Sequence, residues 1–219
     1  DLHSFPTRRS SDLHIAVFPE VIANPRRRRS KENWRCHRPF LDCEDASGEV
    51  GLERALVRAC VRRGRSDWWN QVPIASGLVN GSAGKRSAID LVRHRIGCSY
   101  EFVELKVDSD SALYATVEIL QYGFVWLLSR QFRSELGYST GTLLDADCVR
   151  LNVFAPPRYF RGVDFSAFES GVSSAIRDIA ARQGVGMAFR IVRFPADFVW
   201  PRDYSDEALC ALLDSLFHP

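Results

Sequence analysis

The sequence predicts an α/β (α+β) domain, a mixed β-sheet flanked by helices, and three observations carry that expectation. Segments with helical and with strand periodicity follow one another in the order α-β-β-β-α-β-α-β-α. The three extended segments near the start are separated by short turns, the pattern of an antiparallel meander. The chain of 219 residues is 46% hydrophobic, enough for one buried core and a single domain.

Ser47 and Gly48 supply a cap for a helix over residues 49–63, which Gly64 ends. At about 100° per residue, Leu52, Ala55, Leu56, Ala59 and Cys60 form its apolar stripe. Arg54, Arg58, Arg62 and Arg65 lie on the opposite side, which faces water or phosphate. Extended segments follow over 68–75, 87–93 and 100–107, with Gly/Ser/Asn turns at 76–84 and a short connection around Gly97. The tryptophans at 68 and 69 are read as core residues rather than base-stacking platforms.

Cap-type residues Asp108, Ser109, Asp110 and Ser111 open a long helix reaching about residue 136. Its main apolar stripe is Leu113, Val117, Leu120, Phe124 and Leu127, and Ile119, Tyr122 and Trp126 make a second. A helix apolar on two sides is expected to be sandwiched inside the domain; the alternative is a dimer surface, so a homodimer is carried as a partner expectation. A fourth strand over 148–155 stops at Pro156 and Pro157. A helix over 165–183, a strand over 187–194 and a terminal helix over 205–217 complete the order.

Composition narrows the function. The longest apolar run, around residues 124–128, is far short of the roughly 18 residues needed to span a bilayer, and no secretory leader is visible, so a soluble cytoplasmic protein is expected. The six cysteines form no Cys-x-x-Cys pair and no dense framework, which fits a reducing compartment and speaks against structural zinc and disulfides. Residues 3–13 resemble a translated sequencing-adapter fragment, and the only methionine is Met187. Residues 1–45 are therefore set aside as a non-core segment, expected to be disordered or artefactual, and 46–219 are taken as the domain. The net charge of +2 then belongs to the segment set aside, because residues 46–219 carry 20 basic and 20 acidic side chains. A local basic face is compatible with that balance; a globally cationic nucleic-acid binder is not indicated. The four arginines at 26–29 are read as a solvated run rather than a phosphate-binding arm.

The stretch that carries chemistry is Ala88-Ile89-Asp90-Leu91-Val92, followed by Phe102-Val103-Glu104-Leu105-Lys106-Val107. Strand side chains alternate, so Asp90 shares a face with Ala88 and Val92, and Glu104 shares one with Phe102 and Lys106. In a hairpin centred on Gly97 antiparallel partners sum to 194, which sets Asp90 opposite Glu104 and Ala88 opposite Lys106. Directly opposed Cβ atoms are about 4.5–5.5 Å apart. Two carboxylates at that separation repel and lose solvation, an arrangement that needs a compensating cation or proton. Hard oxygen ligands suit Mg²⁺ or Mn²⁺. Lys106, about 6–7 Å further along the same face, is placed to orient an attacking water or to neutralise charge developing on phosphorus. Only three of the 29 basic residues are lysine, so a chance basic residue at this position would be arginine. The pattern is that of metal-assisted phosphodiester hydrolysis.

In these residues the chain resembles the PD-(D/E)XK nuclease superfamily, with its restriction-endonuclease-like fold. Asp90 is followed by Glu104-Leu105-Lys106 as the E-x-K element, inside an element order like the family's αβββαβ core, here with a C-terminal helical addition. The resemblance covers residues 49–193 in topology but only a short stretch in motif. It implies that Asp90 and Glu104 bind Mg²⁺ (or Mn²⁺), that the backbone carbonyl of Leu105 is a further ligand, and that Lys106 assists the attacking water. It also implies a glutamate on the first helix, for which Glu53, at the border of the apolar stripe, is the candidate and Glu49 the weaker one. Ile89 stands where the family name has proline. The Gln-x-x-x-Tyr element of some members is absent in that form, because Gln121 adjoins Tyr122; Gln121 is carried as a substrate contact.

Lys85 and Arg86, in the loop before the Asp90 strand, are carried as substrate-phosphate contacts. The same loop lacks the spacing of a nucleotide-binding P-loop, and no Gly-x-Ser-x-Gly nucleophile elbow occurs. The expected function is a metal-dependent nuclease acting on DNA in preference to RNA. The alternative is a catalytically inactive domain of the same fold that binds nucleic acid or a protein partner. A third reading is a structural α/β protein whose charged strand residues pair with each other.

Overall fold

The computed structural model describes residues 31–42, 48–75, 88–107, 112–161 and 164–217. Five strands, β1 (Trp68–Pro73), β2 (Ala88–His94), β3 (Ser99–Leu105), β4 (Cys148–Ala155) and β5 (Gly186–Arg193), form one sheet in sequence order. The pairs β1–β2 and β2–β3 are antiparallel, and β3–β4 and β4–β5 are parallel. Parallel neighbours need a crossover connection, which helix α2 (Ala112–Gln131) provides between β3 and β4 and helix α3 (Phe165–Ala181) between β4 and β5. Both crossover helices bury Ile119, Trp126, Ile176 and Ala180 on one face of the sheet, against Leu151 and Phe189. Helix α1 (Gly48–Arg62) and helix α4 (Asp206–Leu216) cover the other face, packing Leu52, Leu56, Leu209 and Leu213 with Val103 and Phe154. The protein is a mixed α/β sheet flanked by helices, in the element order expected.

Local chemistry explains the boundaries. Gly64 adopts φ 75° just past α1, a conformation costly for a side chain with a Cβ. The Ser205 side chain accepts the Ala208 N–H at 3.2 Å to open α4, and Asp164 accepts the Ser166 N–H at 2.9 Å to open α3. Gly97, at φ 69°, sits at the tip of the β2–β3 hairpin. The hairpin pairs Leu91 with Val103, Val92 with Phe102, Arg93 with Glu101 and His94 with Tyr100, the register the sequence predicts. That ladder stops at Leu91. Ala88 does not pair with Lys106, whose N–H instead donates to Phe154 O on β4 at 2.9 Å. Trp68 is buried and meets Phe217 edge-on at 5.4 Å, as a core residue should.

Two expectations are corrected. The long helix does not run unbroken to residue 136: Phe132 leaves helical geometry after α2, and a separate turn, Arg133–Leu136, ends at Gly137 in the left-handed region. Nor is α2 sandwiched. Its second stripe, with Ile119, Tyr122 and Trp126, is the core face, whereas Leu113, Val117 and Phe124 of the presumed main stripe are 51%, 61% and 39% exposed. The helix turns Gly123 toward β4, where an added Cβ would lie 2.6 Å from Leu151 Cδ1. Gly123→Ala is therefore expected to lower stability by about 1–3 kcal/mol, measured by urea unfolding, through overpacking of α2 against the sheet.

The boundary at residue 45 is also corrected. Trp34 is fully buried in the core and stacks on Phe102 at 6.5 Å. Its N–H donates to Pro73 O and its carbonyl accepts the Leu143 N–H, each at 2.8 Å. Residues 31–42 therefore belong to the domain, because a tryptophan of this size supplies core that the remaining chain does not replace. The adapter-like tip, the arginines at 26–29, the caps at 108–111 and the loop with Lys85 and Arg86 lie outside the described residues. Among the described residues no helix is long and apolar enough to cross a membrane.

Candidate functional site

Strict alternation fails at one level of the sheet. On β1, Trp68 packs with the α1/α4 layer while Val72, of the same parity, packs with the α2/α3 layer; on β2, Ile89 and Leu91 are divided in the same way. A period of two forbids this, so each strand reverses its faces between those positions. On β1 the reversal falls at Gln71, a non-glycine residue at φ 51°, in a region that side chains with a Cβ occupy only under constraint. On β2 it falls at Asp90. The pairs Asn70↔Leu91 and Val72↔Ile89 bracket Gln71 and Asp90 without pairing them.

The interruption frees the Asp90 carboxylate to act as a hydrogen-bond acceptor for the next strand. Its Oδ2 accepts the Leu105 N–H at 2.9 Å, where the hairpin ladder has ended. Asp90 and the Glu104-Leu105-Lys106 run thus meet at one end of the sheet. Glu53 reaches the same place from α1; its oxygens accept from Asn70 Nδ2 at 2.8 Å and Gln71 Nε2 at 2.6 Å. Asn70 also exchanges two 2.9 Å hydrogen bonds with the Phe40 backbone, tying residues 31–42 to the site.

Lys106 does not extend along the strand face; its ammonium turns back. Nζ lies 2.8 Å from Glu104 Oε1, 3.1 Å from Glu118 Oε2 on α2 and 3.8 Å from Glu49 Oε2 on α1. The side chain is almost wholly enclosed, at 7% exposure. Tyr122, one turn after Glu118, places its phenol beside Glu104. Among the described residues the site therefore gathers five carboxylates, Glu49, Glu53, Asp90, Glu104 and Glu118, about one ammonium.

That imbalance shows in the acidities. Burial, then the Asp90 charge, push Glu104 up to about 9, against the pull of Lys106. Burial and Asp90 likewise push Glu53 up to about 8, although Gln71 and Asn70 favour its anion. Asp90 is raised by burial and by Glu49 and Glu118, with the Leu105 N–H and Lys106 opposing. Burial works against the Lys106 cation, but Glu104, Glu118 and Glu49 outweigh it and hold the amine protonated. Burial and the surrounding carboxylates raise Tyr122, so its phenol stays neutral.

The donor set suits a hard divalent cation. Glu104 Oε2 is buried with no hydrogen-bond partner, an acceptor in a place where carboxylates already repel. Among the described residues no three Asp, Glu, His or Cys side chains are grouped to hold an ion by themselves. Mg²⁺ commonly takes one or two carboxylates and fills its remaining positions with water and substrate oxygens. Asp90 and Glu104 supply two carboxylates at this end of the sheet.

Of the residues singled out from sequence, Asp90, Glu104, Leu105, Lys106, Glu53 and Glu49 come together, and Gln121 is half-buried on α2 with no described hydrogen bond or ion pair to them. Three of the four arginines on the α1 face are engaged within the protein. Arg54 donates to Asp42 O at 2.6 Å, Arg62 pairs with Asp206 at 3.6 Å, and Arg65 pairs with Asp67 and Asp214 at 3.0 and 2.8 Å. These bonds fasten α1 to α4 and to the preceding segment. Sequence reasoning missed Asn70, Gln71, Glu118 and Tyr122. Glu118 and Tyr122 are four apart, hence on one side of a helix, Tyr122 within the stripe that proves to be buried and Glu118 beside it; Asn70 and Gln71 are a polar pair inside an otherwise apolar strand. No protein-family model, no curated protein and no solved structure matches the chain, so the case for this site stands on its geometry and chemistry.

Proposed function

We propose that the protein is a metal-dependent phosphodiesterase acting on nucleic acid, with Asp90 and Glu104 as the metal-holding carboxylates. The observation that carries this reading is the convergence of Asp90, Glu104 and Lys106 where β2 leaves the β3 ladder, with Glu104 Oε2 buried and unpartnered. A bound Mg²⁺ or Mn²⁺ would relieve the carboxylate repulsion and polarise the phosphoryl group. Asp90 and Glu104 would orient that ion, with the carbonyl of Leu105, whose N–H donates to Asp90, as the further ligand the resemblance implies. Glu53, clasped by Asn70 and Gln71, ties helix α1 to the β1 residues beside Asp90. The Lys106 ammonium, 2.8 Å from Glu104, would position the attacking water or meet the charge developing on phosphorus. The resemblance of Asp90 and Glu104-Leu105-Lys106 to the PD-(D/E)XK nucleases supports DNA over RNA. Five free cysteines among the described residues accord with a cytoplasmic setting.

The enclosure of Lys106 and its 2.8 Å contact with Glu104 favour a second reading, a catalytically silent domain that keeps the pair for structure. Calorimetry with Mg²⁺ on the full chain and on Asp90→Asn separates the two. The proposal expects binding that weakens about tenfold or more in the variant, together with Mg²⁺-dependent cleavage of labelled DNA that the variant lacks. Equal affinity in both proteins would remove Asp90 from the site, and binding without cleavage by the unaltered protein would establish the silent reading.

A further inference from the structure

The face of the sheet covered by α1 and α4 turns basic at the end remote from Lys106. Val92, Phe102, Leu151 and Ile191 pack on the α2/α3 side, so alternation sends Arg93 of β2, Glu101 of β3, Arg150 of β4 and Arg190 of β5 to the opposite face. The register aligns Arg93 with Glu101 and Glu101 with Arg150, and sets Arg190 beside Asn152, two residues along β4 from Arg150. Glu101 is fully buried and receives three guanidinium groups: Arg150 Nη1 at 3.1 Å, Arg93 Nη1 at 3.8 Å and Arg95 Nε at 3.8 Å. One carboxylate cannot neutralise three cations.

The three arginines are not equivalent. Arg93 is committed elsewhere, donating to the Phe217 carbonyl, pairing with Asp67 at 3.4 Å and lying over the Trp68 ring. The Arg95 side chain makes no hydrogen bond among the described residues, and its Nε is a buried donor without a hydrogen-bond acceptor. Among the described residues the Arg150 guanidinium donates only to Glu101. Arg190, half-buried on the next strand, has no described partner. A guanidinium presents five donors in a planar fork that matches the oxygens of phosphate. From β2 to β5 these groups extend over three strand spacings, about 14 Å, a row long enough for more than one phosphate.

We propose that Arg95, Arg150 and Arg190 form a phosphate-binding surface for a nucleic-acid strand, with the buried Glu101 as the counter-ion that positions Arg95 and Arg150. It lies about 16 Å along β3 from Lys106, on the other face of the sheet, and does not depend on metal chemistry at Asp90. The shared chemistry is a phosphate group, and the test distinguishes a nucleic-acid backbone from a small phosphate ester.

The full chain, held metal-free with EDTA, is titrated with inorganic phosphate and with a short single-stranded oligonucleotide, each against chloride at matched ionic strength. Both are expected to bind the unaltered protein. Affinity should fall about tenfold or more in Arg150→Gln/Arg190→Gln and stay unchanged in Arg202→Gln, which alters an exposed arginine elsewhere. Arg150→Gln also unseats Glu101, so Arg190→Gln alone, which removes no described contact, is the companion variant and should weaken both ligands. Loss of oligonucleotide binding in step with phosphate identifies the backbone as ligand; phosphate binding without oligonucleotide binding identifies a small ester and overturns the nucleic-acid assignment. No phosphate binding above chloride, or undiminished affinity in both variants, would overturn the site itself.

Discussion

Lys106→Met is expected to cost the metal-free protein about 3–5 kcal/mol of stability and, on the proposed function, to lower Mg²⁺-dependent cleavage by about 10²–10³-fold. The substitution keeps the length of the aliphatic stem and removes only the ammonium, leaving Glu104, Glu118 and Glu49 without the charge that lies 2.8, 3.1 and 3.8 Å away. Breaking an enclosed ion pair from one side costs far more than an exposed pair contributes, because the remaining carboxylates stay desolvated. Urea unfolding with and without Mg²⁺ separates the roles of this lysine. If Asp90 and Glu104 hold a cation, Mg²⁺ should return a larger share of stability to Lys106→Met than it adds to the unaltered protein, since the ion then relieves more repulsion. A loss of stability that Mg²⁺ leaves untouched would assign Lys106 to structure. Asp90→Asn is the natural comparison, because its amide oxygen still accepts the Leu105 N–H and the hairpin end is preserved.

The parts of this arrangement that could be read from sequence are those that local geometry dictates. A glycine at the tip of the β2–β3 hairpin fixes one register, and with it the approach of Asp90 to Glu104-Leu105-Lys106. The reversal of faces at Gln71 and Asp90 is not a local property: alternation of apolar residues cannot reveal it, because Val72 and Ile89 look the same in sequence whichever layer they enter. Charge on a strand likewise says nothing about which helix will meet it, and Glu118 comes to Lys106 only because α2 crosses the sheet on its Ile119–Trp126 side. Hydrophobicity favoured the wrong stripe of α2, since Leu113, Val117 and Phe124 are as apolar as the buried residues. The informative residue was Gly123, whose missing side chain lets the helix approach Leu151. Trp34 shows the reverse error, a core residue set aside together with the adapter-like tip that precedes it.

Stability of the metal-free protein is expected to fall as pH rises from about 5 to 9. Glu53 and Glu104 bind their protons well above the range from which the unfolded chain releases them, about 8 and 9 against 4.5. Across that interval the folded state holds more protons than the unfolded state, so each rise in pH favours unfolding. The loss should be about 4–5 kcal/mol for each of the two carboxyls over the full interval, read from urea midpoints at successive pH values in EDTA. Lys106 adds no slope there, because its carboxylate partners keep it protonated throughout and its contribution is lost only above the usual ammonium range. Glu53→Gln/Glu104→Gln should flatten the profile, the amides being neutral at every pH. Mg²⁺ should act in the opposite sense on the unaltered protein, since carboxylates must lose their protons to hold it and its affinity therefore rises with pH. A profile as steep in the double variant as in the unaltered chain would show that the protons taken up on folding sit elsewhere, and would leave these two carboxyls without the charge strain that makes them candidates for a cation.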